Sequence, residues 1–249
     1  MQVIARTHVG KVRPINEDGF WFDIPGGLFL VADGMGGHEA GEVASALAVQ
    51  TLADCWQGQP VGAEPVKTLL DACQKANRAI FEQAQTHSSW SGMGTTLTAL
   101  WSDGSQVVIA HVGDSRAYRI NEHGVTPLTH DHSLVEEMIR QGTLTEAEAQ
   151  GHPQRNVITR ALGTRDTVKI DVFTEALAPQ DVLLLCTDGL SNLITDEEIG
   201  KVLSTHQRRS SQQWEQAADQ LLALALERGG FDNITFLILV QTESEGWNA

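Results

Sequence analysis

The sequence predicts an α+β fold in which two antiparallel β-sheets pack as a sandwich, with helix pairs on the outer faces in α-β-β-α layers. Three observations carry this. Short apolar runs rich in β-branched and large side chains recur along the chain, at 28–32 (LFLVA), 97–101, 107–112 (VVIAHV), 182–186 (VLLLC) and 234–240 (ITFLILV). Several are apolar on both faces, as strands covered on both sides are. Glycine-containing turns join the strands, and too few helices alternate with them for a doubly wound parallel sheet.

Weaker strand signals lie at 2–8, 19–22, 117–120 and 168–173. Two consecutive helices follow the first strong strand. Residues 40–57 repeat the helical period with Ala44, Leu47, Ala48 and Leu52; residues 64–86 repeat it with Val66, Leu69, Leu70, Cys73, Ile80 and Phe81. Asn77 is the polar exception on that second stripe. A third helix, marked by Trp214, Ala217, Ala218, Leu221, Leu222 and Ala225, stands alone before the last strand. Segment 133–155 has a different character, with helical pieces, a break at Gly142 and a polar end. The one candidate boundary, 57–62 (QGQPVG), is only long enough to join two helices, so 1–249 reads as a single domain.

Composition narrows the function. The 249 residues are 41% hydrophobic and 20% charged, which suits a substantial core and neither disorder nor a membrane protein. Lys and Arg number 17 against 32 Asp and Glu, a net charge of −15. Such a chain does not grip a nucleic-acid backbone over a broad surface. The acidity points to cations, or to solubility alone. Three widely spaced cysteines without a Cys-x-x-Cys pair indicate neither a zinc knuckle nor a disulfide framework. The first ten residues lack the apolar stretch of a signal peptide, and no apolar run approaches the ~18 residues of a spanning helix. The expectation is a cytoplasmic protein with reduced thiols, bound to no membrane.

The carboxylates cluster where strands end. LFLVA runs into Asp33-Gly34, VVIAHV into Gly113-Asp114, and VLLLC through Thr187 into Asp188-Gly189; Asp232-Asn233 precedes the last strand and Asn16-Glu17-Asp18 opens an early one. In an antiparallel sheet the end of one strand lies beside the start of its neighbour, so these groups can share one edge of the sandwich. Converging carboxylates repel unless protonated or neutralised. Oxygen ligands without Cys or a His pair select magnesium, manganese or calcium. The glycine after Asp33 and after Asp188 lets the backbone turn sharply and exposes a carbonyl as a further ligand; for each Asp-Gly singly, an ordinary turn is the competing reading.

Eight segments in order carry a resemblance: RPINED (13–18), VADGMGGH (31–38), SGMGTT (91–96), HVGDSRAY (111–118), LTHDHS (128–133), ITRALG (158–163), CTDGLSN (186–192) and FDNIT (231–235). Together they resemble the metal-dependent Ser/Thr protein phosphatases of the 2C type, the PPM family, in their bacterial form. The resemblance spans essentially the whole chain and implies that family's fold, with 133–155 as a flap beside the active site. The alternative for 133–155 is an ordinary surface helical hairpin.

The resemblance implies two core ions, Mn2+ or Mg2+, and a third, weaker one. Asp33 would bridge the core pair and the Gly34 carbonyl would ligate one of them. Asp188 and Asp232 would hold the other, Glu17 and Asp18 would act through water, and Asp114 would help hold the third. Arg13 matches the arginine that grips the substrate phosphate, whose planar fork suits a bidentate contact. Hydrolysis of phosphoserine and phosphothreonine would proceed by attack of a water shared by the two ions, without a covalent phosphoenzyme. Many eukaryotic relatives carry His directly after the first Asp-Gly; here that residue is Met35. His38, three residues on, either protonates the leaving oxygen or caps the next helix. The implied substrates are phosphoproteins made by a Ser/Thr kinase, and the expected state is a monomer. Two rivals are a catalytically silent phosphoprotein binder and another two-metal hydrolase such as a nuclease. The complete residue set argues against the first and the net charge against the second.

Overall fold

A computed structural model describes residues 1–37, 40–57, 64–203 and 210–241. Among them, eleven strands form two antiparallel sheets. The first sheet has the order β1 (Gln2–His8), β11 (Ile234–Val240), β10 (Val182–Cys186), β7 (Arg116–Asn121), β8 (Gly124–Pro127). The second runs β2 (Asp18–Asp23), β3 (Leu28–Met35), β5 (Leu97–Ser102), β6 (Gln106–Val112), β9 (Asp171–Ala176), with the two-residue β4 (Gly94–Thr95) pairing β3 beyond β5.

Period-two alternation sorts the strand side chains into three cores. Phe29, Val31, Ile109, Leu183, Leu185 and Leu237 face the other sheet and fill the middle layer. Leu28, Leu30 and Ala32 face outward into a second core with α1 (Ala40–Gln57) and α2 (Pro65–Thr86). Leu184, Cys186, Phe236 and Ile238 face the opposite way into a third core with α6 (Asp196–Leu203) and α7 (Ser211–Glu227). The expected four-layer sandwich is the observed one. Strands buried on both faces explain why their sequences read as unbroken apolar runs.

The differences from expectation are local. Strand β9 starts three residues later than the 168–173 signal and runs to Ala176, because Gln106↔Ala176 through His111↔Asp171 pairing with β6 sets its register. Strands β4 and β8 are too short and polar to show a pattern. The lone helix α7 has a partner, α6, whose eight residues are too few for periodicity to stand out. The short helices α3 (Leu134–Arg140) and α4 (Glu146–Gln150) occupy the 133–155 segment, each begun by a side-chain cap, Ser133 and Thr145 respectively. The candidate boundary at 57–62 falls almost wholly outside the described residues.

Asn77, the polar residue on the apolar stripe of α2, is fully buried. Its Nδ2 donates to the carbonyls of Arg165 and Asp166, both at 3.1 Å, and its Oδ1 accepts from the Gly163 N–H at 2.8 Å. One amide thus satisfies three backbone groups of a loop that has no ladder of its own. Asn77→Leu adds apolar volume but strands these groups, each costing about 1–3 kcal/mol. The variant is expected to melt about 5–10 °C below the wild type by calorimetry, at ~2–4 °C per kcal/mol for a domain of this size. An unchanged or raised melting temperature would mean that the loop is held by other contacts.

Candidate metal centre

The acidic edge is where the two sheets are tied together. Asp18 opens β2 directly opposite Asp33 of β3 in the cross-strand register. On the other sheet, the Thr187 N–H donates to the Thr235 carbonyl at 2.9 Å, which sets Asp188 beside the residues that precede β11. The buried Thr187 hydroxyl accepts from the Thr235 N–H at 3.0 Å and donates to Asp18 Oδ2 at 2.9 Å, joining one sheet to the other.

Asn233 ties in the N-terminal loop. Its Nδ2 donates to the carbonyls of Val9 and Ile15, both at 2.9 Å, and its Oδ1 accepts from the Glu17 N–H at 2.8 Å. This fixes the loop that carries Arg13 and Glu17. Asp33 is held by its backbone: its N–H donates to Thr96 Oγ1 and its carbonyl accepts from Thr95 Oγ1, both at 2.9 Å. Thr96 Oγ1 also bonds Ser115 Oγ at 2.7 Å, next to Asp114. Asn233, Thr187, Thr95 and Thr96 have no titratable group, so a search for carboxylates passes over them. For Thr187 and Asn233 the signal that could have found them is their place beside Asp188 and Asp232 in the same motifs; Thr95 and Thr96 lie in SGMGTT, which carries no acid.

The glycines work differently from the turn reading. Asp33-Gly34 does not end β3, which runs through to Met35. A Cβ on Gly34 would lie 2.1 Å from the Gly41 carbonyl oxygen and 2.6 Å from that of Glu17. Gly189 opens no turn either; it lies in the short helix α5 (Asp188–Ser191), where a Cβ would lie 1.9 Å from the Asn233 carbonyl oxygen. Both positions need glycine for close backbone approach. Only Gly113, at φ +112°, uses the left-handed region to aim the Asp that follows.

Asp18, Asp33, Asp114, Asp188 and Asp232 thereby interact electrostatically at one edge, with Glu17 against Asp232. Loss of hydration is the largest effect on each shifted acid, and mutual repulsion adds to it. Asp188 is pushed up to about 6, Asp18 to about 7 and Asp114 to about 8, while Asp33, facing four other acids, is raised well above the usual carboxylate range. Burial also raises Glu17, against the pull of Arg13. Arg13 Nη2 donates to Asp232 Oδ2 at 2.7 Å, and this contact raises the arginine pKa further.

Four of the six buried, unpartnered side-chain polar atoms among the described residues belong to these acids: Glu17 Oε1, Asp18 Oδ1, Asp114 Oδ1 and Asp188 Oδ1. Buried oxygens without donors are costly and call for a partner. Oxygen-only donors with net negative charge fit hard divalent cations. Among the described residues no three His, Cys, Asp or Glu side chains close on a single point. An ion on this edge would need backbone and water oxygens to complete its shell.

His38 lies outside the described residues. The other histidines near the edge are engaged in the scaffold. His111 is fully buried, bonded to Thr98 Oγ1 and the His130 carbonyl, and burial lowers its pKa to about 3. His132 Nδ1 accepts from the Gly113 N–H at 2.9 Å, and its Nε2 lies 3.1 Å from Asp171 Oδ2 and 2.8 Å from Arg160 Nη1. His130 is exposed and turned toward Phe173, whereas His132 meets Gly113 and Asp171. Arg116 grips Asp131 with two hydrogen bonds, at 2.8 and 2.7 Å, behind Asp114. A cavity of about 660 Å³ opens from Asp114 and Asp188, walled by Val135, Ile139 and Ala149 of the 133–155 segment and by the stretch from Leu193 to Asp196.

Comparison with known proteins gives concordant matches. The family model described as protein phosphatase 2C matches residues 8–227. The serine/threonine phosphatase stp of Listeria monocytogenes is 40% identical over 251 residues, covering 96% of this chain and 95% of its own. The structure of serine/threonine phosphatase Stp1 from Staphylococcus aureus superposes with a TM-score of 0.89 at 35% identity, covering 98% of this chain and 95% of that one. The catalytic domain of the serine/threonine protein phosphatase PstP, in complex with two manganese ions, superposes at 0.83 with 35% identity, covering 95% and 96%.

A carboxyl whose native pKa lies above its unfolded value of ~4 holds its proton more tightly when folded. That stabilisation is complete below pH about 4 and is lost as pH rises through the native values, about 6 for Asp188, 7 for Asp18 and 8 for Asp114. In chelator, the protein is therefore expected to lose stability from pH about 5 to about 8. Asp33→Asn removes the charge that faces the other four and should flatten the loss, raising the melting temperature near pH ~8 by about 2–6 °C. A wild type that gains stability over this window in chelator would show that the acids are not crowded.

Proposed function

The chain belongs to the protein phosphatase 2C family, and from that premise we infer that it is a serine/threonine protein phosphatase working through divalent cations held on the acidic edge. The carrying observation is the set of four unpartnered buried carboxylate oxygens beside an arginine at one end of the sandwich. Asp33 and the Gly34 carbonyl, with Asp188 and Asp232, are the residues assigned to the two core ions; Glu17 and Asp18 act through water. The ions, when bound, supply Lewis-acid charge that acidifies water and offsets charge on phosphate oxygens.

The chain's own part is to position and to exclude. Arg13 Nη2 donates to Asp232 Oδ2 at 2.7 Å. With Asp232 holding an ion, the Arg13 guanidinium would be available to donate to the substrate phosphate. The scaffold of Thr95, Thr96, Thr187 and Asn233 keeps the acids from relaxing apart. The cysteines offer no covalent alternative: Cys73 and Cys186 are fully buried with thiols pushed up to about 12, and Cys55 lies in the last turns of α1, lining a crevice with Glu64 and Lys67. The proton for the departing oxygen comes either from water in the cleft or from His38. Helices α3 and α4 act as the flap over the cavity that leads to Asp114 and Asp188, within the single domain of residues 1–249.

Substrates on this reading are phosphoproteins made by a Ser/Thr kinase, and the working form is a cytoplasmic monomer. Among the described residues no helix is long and apolar enough to cross a membrane, and Cys73 and Cys186 are fully buried thiols, as suits a reducing compartment. Manganese or magnesium suits the donor set, and manganese is the ion in the PstP structure.

Arg13→Ala is expected to lower kcat/KM on a phosphothreonine peptide by roughly 10- to 150-fold, the worth of a charge-assisted phosphate contact of ~1.5–3 kcal/mol. The number of tightly bound cations should stay at wild-type level, because the loss of Arg13 removes a competitor for Asp232. A missing core ion in this variant would make Arg13 a site organiser instead.

Activity should vanish in chelator and return with manganese, and Asp114 should separate binding from turnover. Asp114 is assigned to a third, weaker ion. Asp114→Ala is then expected to keep two tight cations by calorimetry while losing most turnover. Two tight cations with normal turnover would remove the third ion; full activity in excess chelator would remove the metal mechanism.

A further inference from the structure

Beside the Arg13–Asp232 ion pair, two apolar side chains stand in solvent. Val12 is 63% exposed and Phe231 62%, the highest values for large apolar residues among the described residues. Single exposed apolar residues are ordinary; these two are matched in position. Segments 10–13 and 229–232 run side by side. The Lys11 N–H donates to the Gly230 carbonyl at 2.7 Å, and Arg13 Nη2 donates to Asp232 Oδ2 at 2.7 Å. Val12 and Phe231 are the residues between these two rungs, one on each segment.

The backbone holds them there. Gly229, at φ +121°, lies under the Phe231 ring, where a Cβ would come within 2.3 Å of the ring edge. Gly10, at φ +82°, passes so near the other segment that a Cβ would lie 2.2 Å from the Asp232 carbonyl oxygen. The pair is thus a fixed feature of the rim, uncharged in a chain of net charge −15 and one residue from the arginine assigned to the phosphate.

We propose that Val12 and Phe231 form an apolar lip that receives an apolar side chain next to the phosphorylated serine or threonine of the protein substrate. The proposal rests on the reading of Arg13 as the phosphate contact. A phosphate held by Arg13 brings the flanking residues, ~3.3–3.6 Å apart along an extended peptide, onto the neighbouring stretch of rim. An acidic surface would select basic neighbours; at the lip, an apolar neighbour instead covers exposed apolar area on both partners.

The test uses phosphothreonine peptides that differ only in carrying Leu or Gly on either side of the phosphothreonine. The wild type is expected to favour a Leu peptide in kcat/KM by about 5- to 20-fold, mostly through KM, within the range of small apolar contacts. Phe231→Ser and Val12→Ser should bring the ratio within about 2-fold while turnover of the Gly peptide and the number of tight cations stay as in the wild type; Phe231→Leu should retain the preference. A wild type without preference, or serine variants that keep it, would overturn the lip and leave the phosphatase reading intact. Serine variants that lose cations and Gly-peptide turnover together would show that Phe231 serves Asp232 instead. A wild-type dimer abolished by Phe231→Ser, with peptide preference unchanged, would assign the lip to self-association. A wild type that cleaves no phosphopeptide would take down the phosphatase reading and the lip with it.

Discussion

Buried carboxylates that feel one another's charge repel, and the repulsion grows as water is removed. Five aspartates meet this condition at the edge of the sandwich, with Asp33 interacting with all the others. Such an arrangement persists only if the backbone beneath it cannot yield. The hydrogen bonds of Thr187, Asn233, Thr95 and Thr96 supply that resistance. They tie the acids to strand ends and the strand ends to each other, across the gap between the sheets. The three apolar cores behind them hold the strands in register.

The edge is therefore an investment of folding energy in a site. Raised carboxyl pKa values mean that the charged form is strained in the folded protein, and unpartnered buried oxygens mean that hydrogen bonds have been given up. A divalent cation offsets both at once, because it supplies charge and takes up oxygen lone pairs. Arg13 sets a positive charge beside Asp232 on the same edge. Close glycine contacts serve the same end. Gly34 and Gly189 let two backbone segments approach within distances that any side chain would forbid, so the acids can be near neighbours without long side chains to blur their positions.

Two kinds of surface adjoin this edge. One is the cavity between helices α3 and α4 and the α5–α6 connection, with Asp114 and Asp188 at its end. The other is the rim that carries Val12, Arg13, Phe231 and Asp232, where two loops are cross-linked by a backbone hydrogen bond and an ion pair. The chemistry at the centre is general for phosphate esters. Discrimination among phosphoproteins has to come from surfaces such as these, which touch the peptide and leave the phosphorus alone.

The sequence by itself determined the layers, the strong strands, the two long helices 40–57 and 64–86, and which acids stand at or near strand ends. Those features are written in periodicity and in the types of residue at strand boundaries, and each depends only on neighbours in the chain. The tertiary structure decided what required two distant segments. Strand β9 took its register from β6, β4 and β8 formed because partners were waiting, and Asn77 proved to serve a loop some 90 positions away in the chain. Asp33-Gly34 and Asp188-Gly189 looked like turns because Asp-Gly is a turn dipeptide; they are instead strand and helix residues where glycine admits a crossing backbone. Thr187, Asn233 and Thr96 stayed silent in the sequence for a related reason. A neutral hydrogen-bonding residue acquires its role only when its partner arrives from elsewhere in the chain, and no local pattern records that meeting.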